Sequence, residues 1–228
     1  MSVPLVKALS FDAAGTLIEL SEPVGVSYHR VAQNHGIEAC PEALAEAFKS
    51  VWRRTPSAFS AESPVNDPDE KSWWHRLVKE VFAESGATLP TDSTFDVFFE
   101  ALYGHFEEPG TWRAVDGAHA ALERIAADYP CIVLSNFDGR LRRILADLDL
   151  IAPFDAILLS CELGASKPDP SVFAAAQKAL NLPASEILHV GDDPVCDWEG
   201  AANAGFASFR VGKGQSTLNE LLRQLSLA

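Results

Sequence analysis

No apolar run in this 228-residue chain approaches the roughly 20 residues that a membrane-spanning helix needs. No membrane partner is therefore expected. The first eleven residues are too short for a signal-peptide pattern and contain Pro4 and Lys7, which points to a cytoplasmic protein. Cysteine is scarce: Cys40, Cys131, Cys161 and Cys196 show no CxxC or zinc-like spacing. That excludes a disulfide framework and a zinc ribbon, and leaves reduced thiols as the reading. Positive charge is also short. Lys and Arg number 18 against 32 Asp and Glu, a net charge of −14, so a non-specific nucleic-acid binder is excluded. There is no internal repeat and no low-complexity tract.

What remains is an ordinary globular composition, 47% hydrophobic and 22% charged, long enough to bury a core. Two textures divide the chain. From Leu17 to Trp112 the apolar residues recur at helical spacing over Val24–His35, Pro41–Arg54, Asp69–Ser85 and Thr91–Phe106. Pro41 and Pro68 mark helix starts, Gly36 and Gly86 mark ends, and a Ser/Pro/Ala-rich loop, Thr55–Asp67, joins the middle pair. No strand is read here. Trp73, Trp74 and the series Phe95, Phe98, Phe99, Leu102, Tyr103, Phe106 are expected to form the core of this helical segment. It carries 16 acids against 7 bases, which would repel a polyphosphorylated ligand.

From Trp112 onward short apolar runs (Pro130–Leu134, Ala156–Ser160, Ile187–Val190, Ala207–Val211) alternate with helical patterns. The helices fit Gly117–Asp128, Arg140–Leu148, Ser171–Leu180, Pro194–Ala204 and Thr217–Leu225. This rhythm predicts an α/β fold with a parallel sheet between helices. An opening strand, Val6–Phe11, joins the same sheet. The chain thus leaves the sheet, builds a helical insert and returns, giving a core of residues 1–16 and 113–228 and an insert of residues 17–112.

Four segments carry chemistry. In Leu9-Ser10-Phe11-Asp12-Ala13-Ala14-Gly15-Thr16-Leu17 a buried strand ends in a carboxylate, where open α/β sheets place ligands. Asp12 is a candidate nucleophile, or an acid that caps a turn. Cys131–Asn136 is a strand ending in the Ser135 hydroxyl, suited to a phosphoryl oxygen together with the following backbone N–H groups, or simply a turn hydroxyl. Ser166-Lys167-Pro168-Asp169-Pro170 sets a lysine before a helix capped by Asp169. Lys167 would offer a point charge to the same phosphate, or lie on the surface. His189–Asp197 runs from a strand into Asp192, Asp193 and Asp197. These are candidate Mg²⁺ ligands, or acids that favour a helix N-terminus.

In this order the four segments resemble motifs I to IV of the haloacid dehalogenase-like hydrolase superfamily. The text around Val115–Ala118 and Ser135–Leu141 is most similar to the rhythmically-expressed-gene-2-like and HAD-domain-containing-3 proteins. The resemblance implies a Rossmann-like core with an α-helical cap over the site, Mg²⁺ as cofactor, and hydrolysis of a small phosphorylated substrate through an aspartyl-phosphate at Asp12. It implies Ser135, Asn136 and Lys167 at the phosphate. It also implies Asp12, Asp192 and the backbone carbonyl of Ala14 at the metal. Asp193 or Asp197 supports the metal through water, and Asp197 is favoured.

The chain departs from the family's usual Asp-x-Asp at Ala14, where phosphatases carry the acid that protonates the leaving group. That help is worth about 10²–10⁴-fold, so turnover of unactivated esters is expected to be slow. Glu19, His29 and His75 are candidates for a replacement acid, each read first as surface. The alternatives are a phosphate-binding or regulatory protein with little turnover, a dehalogenase, or a phosphonatase. The dehalogenase ranks low because Asp192 is kept, and Lys49, which the phosphonatase would need, reads as a surface lysine. Monomer and homodimer are equally compatible with this sequence.

Overall fold

The computed structural model describes residues 6–56, 58, 59 and 70–227. Most of the expected loop Thr55–Asp67, the helix-start signal Pro68 and the expected first helical residue Asp69 lie outside the described residues. The chain divides into two compact units, with boundaries between residues 19 and 20 and between residues 112 and 113. Among the described residues no helix is long and apolar enough to cross a membrane.

The chain opens with β1 (Ala8–Phe11), all four residues of which are buried. A tight turn leads to β2 (Ile18–Leu20). The helical unit follows: α1 (Val24–Asn34), α2 (Pro41–Arg54), α3 (Glu70–Glu84) and α4 (Asp92–His105). Pro41 occupies the first turn of α2, where its missing N–H costs nothing. The apolar faces of the four helices share one core around Tyr28, Leu44, Val51, Trp73, Leu77, Phe82, Phe95 and Phe98. Trp74, Tyr103 and Phe106 pack against it, partly buried. Tyr28 stacks on Phe82 at 6.0 Å between ring centroids. Burying each such aromatic side chain is worth roughly 1.5–3 kcal/mol, so the cluster holds these helices together.

The chain re-enters the first unit at Arg113, within β3 (Trp112–Ala114), which pairs with β2 as a small two-stranded sheet. The expectation of no strand between Leu17 and Trp112 is therefore corrected at both ends, where β2 and the first residue of β3 fall. Strands of three residues are too short to show an alternating pattern. Then come α5 (Ala118–Ala126), β4 (Cys131–Ser135), α6 (Arg140–Asp147), β5 (Ala156–Leu159), α7 (Ser160–Leu163), α8 (Pro170–Leu180) and β6 (Ile187–Gly191). The chain ends with α9 (Gly200–Asn203), β7 (Ala207–Arg210) and α10 (Leu218–Gln224).

The five long strands form one parallel sheet in the order β5-β4-β1-β6-β7, with helices around it. Strands β1, β4 and β6 lie at the centre and read as continuous buried runs, as strands covered on both faces must. The order reverses direction at β1. Open sheets bind ligands at such a switch point, beyond the carboxyl ends of the strands. Phe11 is in register with Val133 of β4 and Val190 of β6, so the residues that follow these positions emerge side by side.

One further expectation is corrected. The pattern over Pro194–Ala204 predicts a continuous helix. Instead Pro194–Glu199 forms a π-helical turn, followed by the short α9. The N–H groups of Asp197 and Trp198 both bond to the Asp193 carbonyl, at 3.0 and 3.2 Å. This widens the turn and directs Asp197 inward, where it is buried. Such π turns recur at functional sites.

Candidate active site

Three strand ends and one loop build the site. The N–H of Asp12 donates to the Val190 carbonyl at 2.9 Å, which fixes this residue against β6 just as the sheet ends. Ser135 closes β4. Its hydroxyl donates to Asp12 Oδ1 at 3.0 Å. Lys167 arrives from the loop before α8 and donates from Nζ to Asp12 Oδ1 at 2.8 Å and to Asp197 Oδ1 at 2.6 Å. Asp12, Ser135, Lys167 and Asp197 are all buried. Asp12 Oδ1 thus receives two donors, and its Oδ2 accepts from no group among the described residues.

Asn136, expected at the phosphate, turns its side chain to the Lys167 backbone. Its side-chain oxygen accepts from the Lys167 backbone N–H at 2.7 Å, and its amide donates to the Lys167 carbonyl at 2.8 Å. The side chain is therefore a two-point clamp on the lysine's backbone. Downstream, the Asp169 carboxylate caps α8 by accepting from the Ser171 N–H at 2.8 Å, with Pro170 in the first turn. The lysine loop is thereby held at both ends.

The two acids beyond Asp192 divide their tasks. Asp193 Oδ1 accepts from the N–H groups of Val195 and Cys196 at 2.8 and 2.7 Å, capping the π turn. Asp197 uses both oxygens: Oδ1 takes Lys167 and His189 Nε2, the latter at 3.1 Å, and Oδ2 takes the Asp193 N–H at 3.0 Å. Asp192 has one long contact, from the Thr16 hydroxyl at 3.5 Å. Ala14 lies half-buried in the turn after β1.

The electrostatics follow from this crowding. Burial pushes the Asp12 carboxyl above its ordinary value, against the pull of Lys167. Asp192 is pushed up to about 7, first by burial and then by repulsion from Asp12, Asp197 and Asp193. Burial would also raise Asp197, but the Lys167 charge and the hydrogen bond from His189 overcome it and hold this acid below the usual carboxylate range. Burial works against the charged form of Lys167 too, yet Asp12 and Asp197 keep the ammonium firmly protonated.

Asp12, Asp192 and Asp197 each offer one oxygen, all within 4.8 Å of one another. The negative charge there exceeds what one ammonium offsets, and this adds to burial in raising Asp192. Hard oxygen donors with surplus negative charge fit a hard divalent cation such as Mg²⁺.

The candidates for a replacement acid are engaged locally. Glu19 pairs with Arg113 at 2.6 Å, His29 Nδ1 bonds the Ala39 carbonyl at 2.6 Å, and His75 pairs with Asp96 at 2.9 Å. Lys49 is exposed and pairs with Glu46 at 2.6 Å. Sequence reasoning missed Ser10 and His189, which are fully buried and joined at 2.8 Å. The available signal was a polar residue inside each of two apolar strand runs, since buried polar groups need partners.

A family model described as haloacid dehalogenase-like hydrolase matches residues 6–205. The human haloacid dehalogenase-like hydrolase domain-containing protein 3 is 32% identical, over 96% of this chain and 86% of its own length. Two solved structures share the fold. One is a dehalogenase with an intermediate complex, at TM-score 0.74 and 21% identity, covering 98% of both chains. The other is a HAD phosphatase from Thermococcus onnurineus, at TM-score 0.65 and 21% identity, covering 97% of this chain and 99% of that one.

Proposed function

The chain belongs to the haloacid dehalogenase-like hydrolase family, and from that premise we propose that it hydrolyses a small phosphorylated compound with Asp12 as nucleophile. One observation carries the reading. A buried carboxylate has one oxygen held by Lys167 and Ser135 and the other free to attack.

The chemistry follows from these residues. Asp12 Oδ2 attacks phosphorus, the bond from phosphorus to the leaving oxygen breaks, and an aspartyl-phosphate forms. Water then releases phosphate and regenerates the carboxylate. Lys167, fixed by Asn136 and Asp197, offsets the charge that develops on the phosphoryl oxygens, and the Ser135 hydroxyl orients the group. Mg²⁺ would be held by Asp12 and Asp192, with the Ala14 carbonyl as a further oxygen, and would reduce the repulsion between two anions. Asp197, with both oxygens engaged, acts here through Lys167.

No acid stands at position 14 to protonate a leaving alkoxide. Acyl and aryl phosphates, whose leaving groups need less help, are the better substrates under this reading. Ala14 also favours a second reading, a protein that binds a phosphate ligand with little turnover. The test is phosphate release from a broad panel with Mg²⁺, including acetyl phosphate and an aryl phosphate, beside Asp12→Asn. Metal-dependent release that the substitution abolishes is the expected result. Release equal in the variant overturns the nucleophile. Halide release from a 2-haloacid that persists in EDTA replaces the phosphatase with a dehalogenase.

A further inference from the structure

We propose that Ser10 and His189 are a positioning pair that orients Asp197 and, through it, sets Lys167 against Asp12; the proposal rests on the hydrolase reading of this site. Ser10 of β1 and His189 of β6 are register partners in adjacent parallel strands, so their side chains lie on the same face of the sheet. Asp12 is two residues beyond Ser10 and Gly191 two beyond His189, so both belong to that face. A β-carbon at Gly191 would collide with the Asp197 side chain. This face of β6 is therefore shaped for one purpose: an imidazole at 189, open space at 191, and the Asp197 carboxylate resting in that space.

The hydrogen bonds have a definite direction. An ionised carboxylate only accepts, so the contact between His189 Nε2 and Asp197 Oδ1 at 3.1 Å requires the proton on Nε2. In a neutral ring Nδ1 then accepts, and the Ser10 hydroxyl at 2.8 Å donates. Burial keeps this ring neutral, and Phe173 covers it edge-on at 5.7 Å. The chain of donors runs from Ser10 to His189 to Asp197, where it meets the Lys167 ammonium.

That ammonium stands between two acids, 2.6 Å from Asp197 and 2.8 Å from Asp12. The imidazole N–H takes up part of the Asp197 charge. Without it Asp197 draws Lys167 harder, and the ammonium moves away from Asp12 and from the phosphate beside it. A histidine that only filled the core would have no such effect on Lys167.

The test uses the full chain carrying Ser10→Ala, His189→Leu or His189→Gln, the last of which keeps an amide N–H donor. Nitrogen-15 NMR reads the His189 ring and the Lys167 ammonium, and calorimetry reads the affinity for inorganic phosphate with Mg²⁺. The expected wild-type ring is neutral with its proton on Nε2, and Ser10→Ala mixes the tautomers. The Lys167 resonance shifts in Ser10→Ala and His189→Leu and returns toward wild type in His189→Gln. Phosphate affinity falls by about 10–100-fold in His189→Leu, as for other residues that orient a ligand-binding group. A Lys167 resonance unchanged in both Ser10→Ala and His189→Leu overturns the pair, as does a ring protonated on Nδ1. If His189→Leu does not fold, Ser10→Ala decides on the same resonances. Wild-type protein that neither binds nor releases phosphate overturns the hydrolase reading instead, and the ring and ammonium signals still judge the pair.

Discussion

A β-carbon built on Gly15 would stand 2.6 Å from the carboxyl carbon of Asp192, so the turn after the first strand and the acid after the β6 strand share one space. Gly15 also has φ +89°, a conformation that costs a side-chain-bearing residue about 1–3 kcal/mol. Gly15→Ala is expected to destabilise the fold by that amount and to displace Asp192. Mg²⁺ affinity should fall with it, by about 10–100-fold if the displaced acid is a ligand. Gly36→Ala is the control: φ is +69° and nothing lies within 4 Å of the added carbon. It should show the strain in a urea melt and leave Mg²⁺ titration calorimetry unchanged.

The Lys167 ammonium bridges the buried carboxylates of Asp12 and Asp197. Removing one partner of a buried pair leaves charge uncompensated, at a cost of about 3–5 kcal/mol. Lys167→Met should therefore unfold at much lower urea than wild type in metal-free buffer. Asp12→Asn should act in the opposite sense. It removes a carboxylate whose ionisation burial opposes, and leaves Lys167 paired with Asp197. Equal midpoints for the two variants would contradict the charge balance described for this site.

The pH dependence has a sign that separates metal-free from metal-loaded protein. Asp192 has a folded-state pKa of about 7, above its unfolded value. Its contribution is present in acid and lost as pH rises through 7. His189 is shifted down, so its contribution grows as pH rises and is nearly complete about one unit above the ordinary histidine value of about 6.5. Asp12, raised as well, acts in the same direction as Asp192, so between about pH 6.5 and 8 the loss outweighs what remains of the His189 gain. The urea midpoint of metal-free protein should fall across that window. Saturating Mg²⁺ should flatten the slope. A midpoint that rises from pH 6.5 to 8 without metal would sink this account.

The sheet and the helical segment were legible in the sequence because their patterns are long. Short apolar runs such as Cys131–Leu134, set between helical patterns, read as central strands by their length, and Phe95, Phe98 and Phe99 repeat at helical spacing. The clamp of Asn136 on Lys167 was not legible, because it joins residues 31 apart and an asparagine beside a candidate phosphate site invites a direct role. The buried Ser10–His189 contact spans 179 residues, and no local pattern encodes a register between distant parallel strands. The π turn was hidden by its composition, since Pro194 to Glu199 reads as an ordinary helix start. Its width depends on Asp197 turning toward Lys167, a tertiary contact.

Three of the four thiols fall into two reactivity classes. Cys131 is buried and its thiol is pushed up to about 12 by desolvation and by Asp155. Cys196 reaches about 12 as well, through burial and Asp193. The thiolate is the reactive form, so a disulfide reagent at pH 8 should leave both unmodified in native protein. Cys40 is exposed and should react first. Mass spectrometry of peptides after a short exposure checks the order, and early labelling of Cys196 would show that its turn opens in solution.

Ala14 offers the most direct test of what limits turnover. The residue sits half-buried two positions after Asp12, where the family's phosphatases resemble one another in carrying a second acid. An aspartate there could protonate the leaving oxygen and then activate water, help worth about 10²–10⁴-fold, or roughly 3–5 kcal/mol of barrier. Ala14→Asp is therefore expected to raise kcat on alkyl phosphates by that order, and on an aryl phosphate by much less, because its leaving group departs without a proton. The double variant Asp12→Asn, Ala14→Asp should be inactive on both, which ties the gain to attack by Asp12. A gain that is equal on the two substrate classes would mean that the new carboxylate alters binding or metal affinity rather than proton transfer. No gain on either, with phosphate still bound by wild type, would favour the ligand-binding reading, in which the surroundings of Asp12 hold a phosphoryl group without being arranged to cleave it.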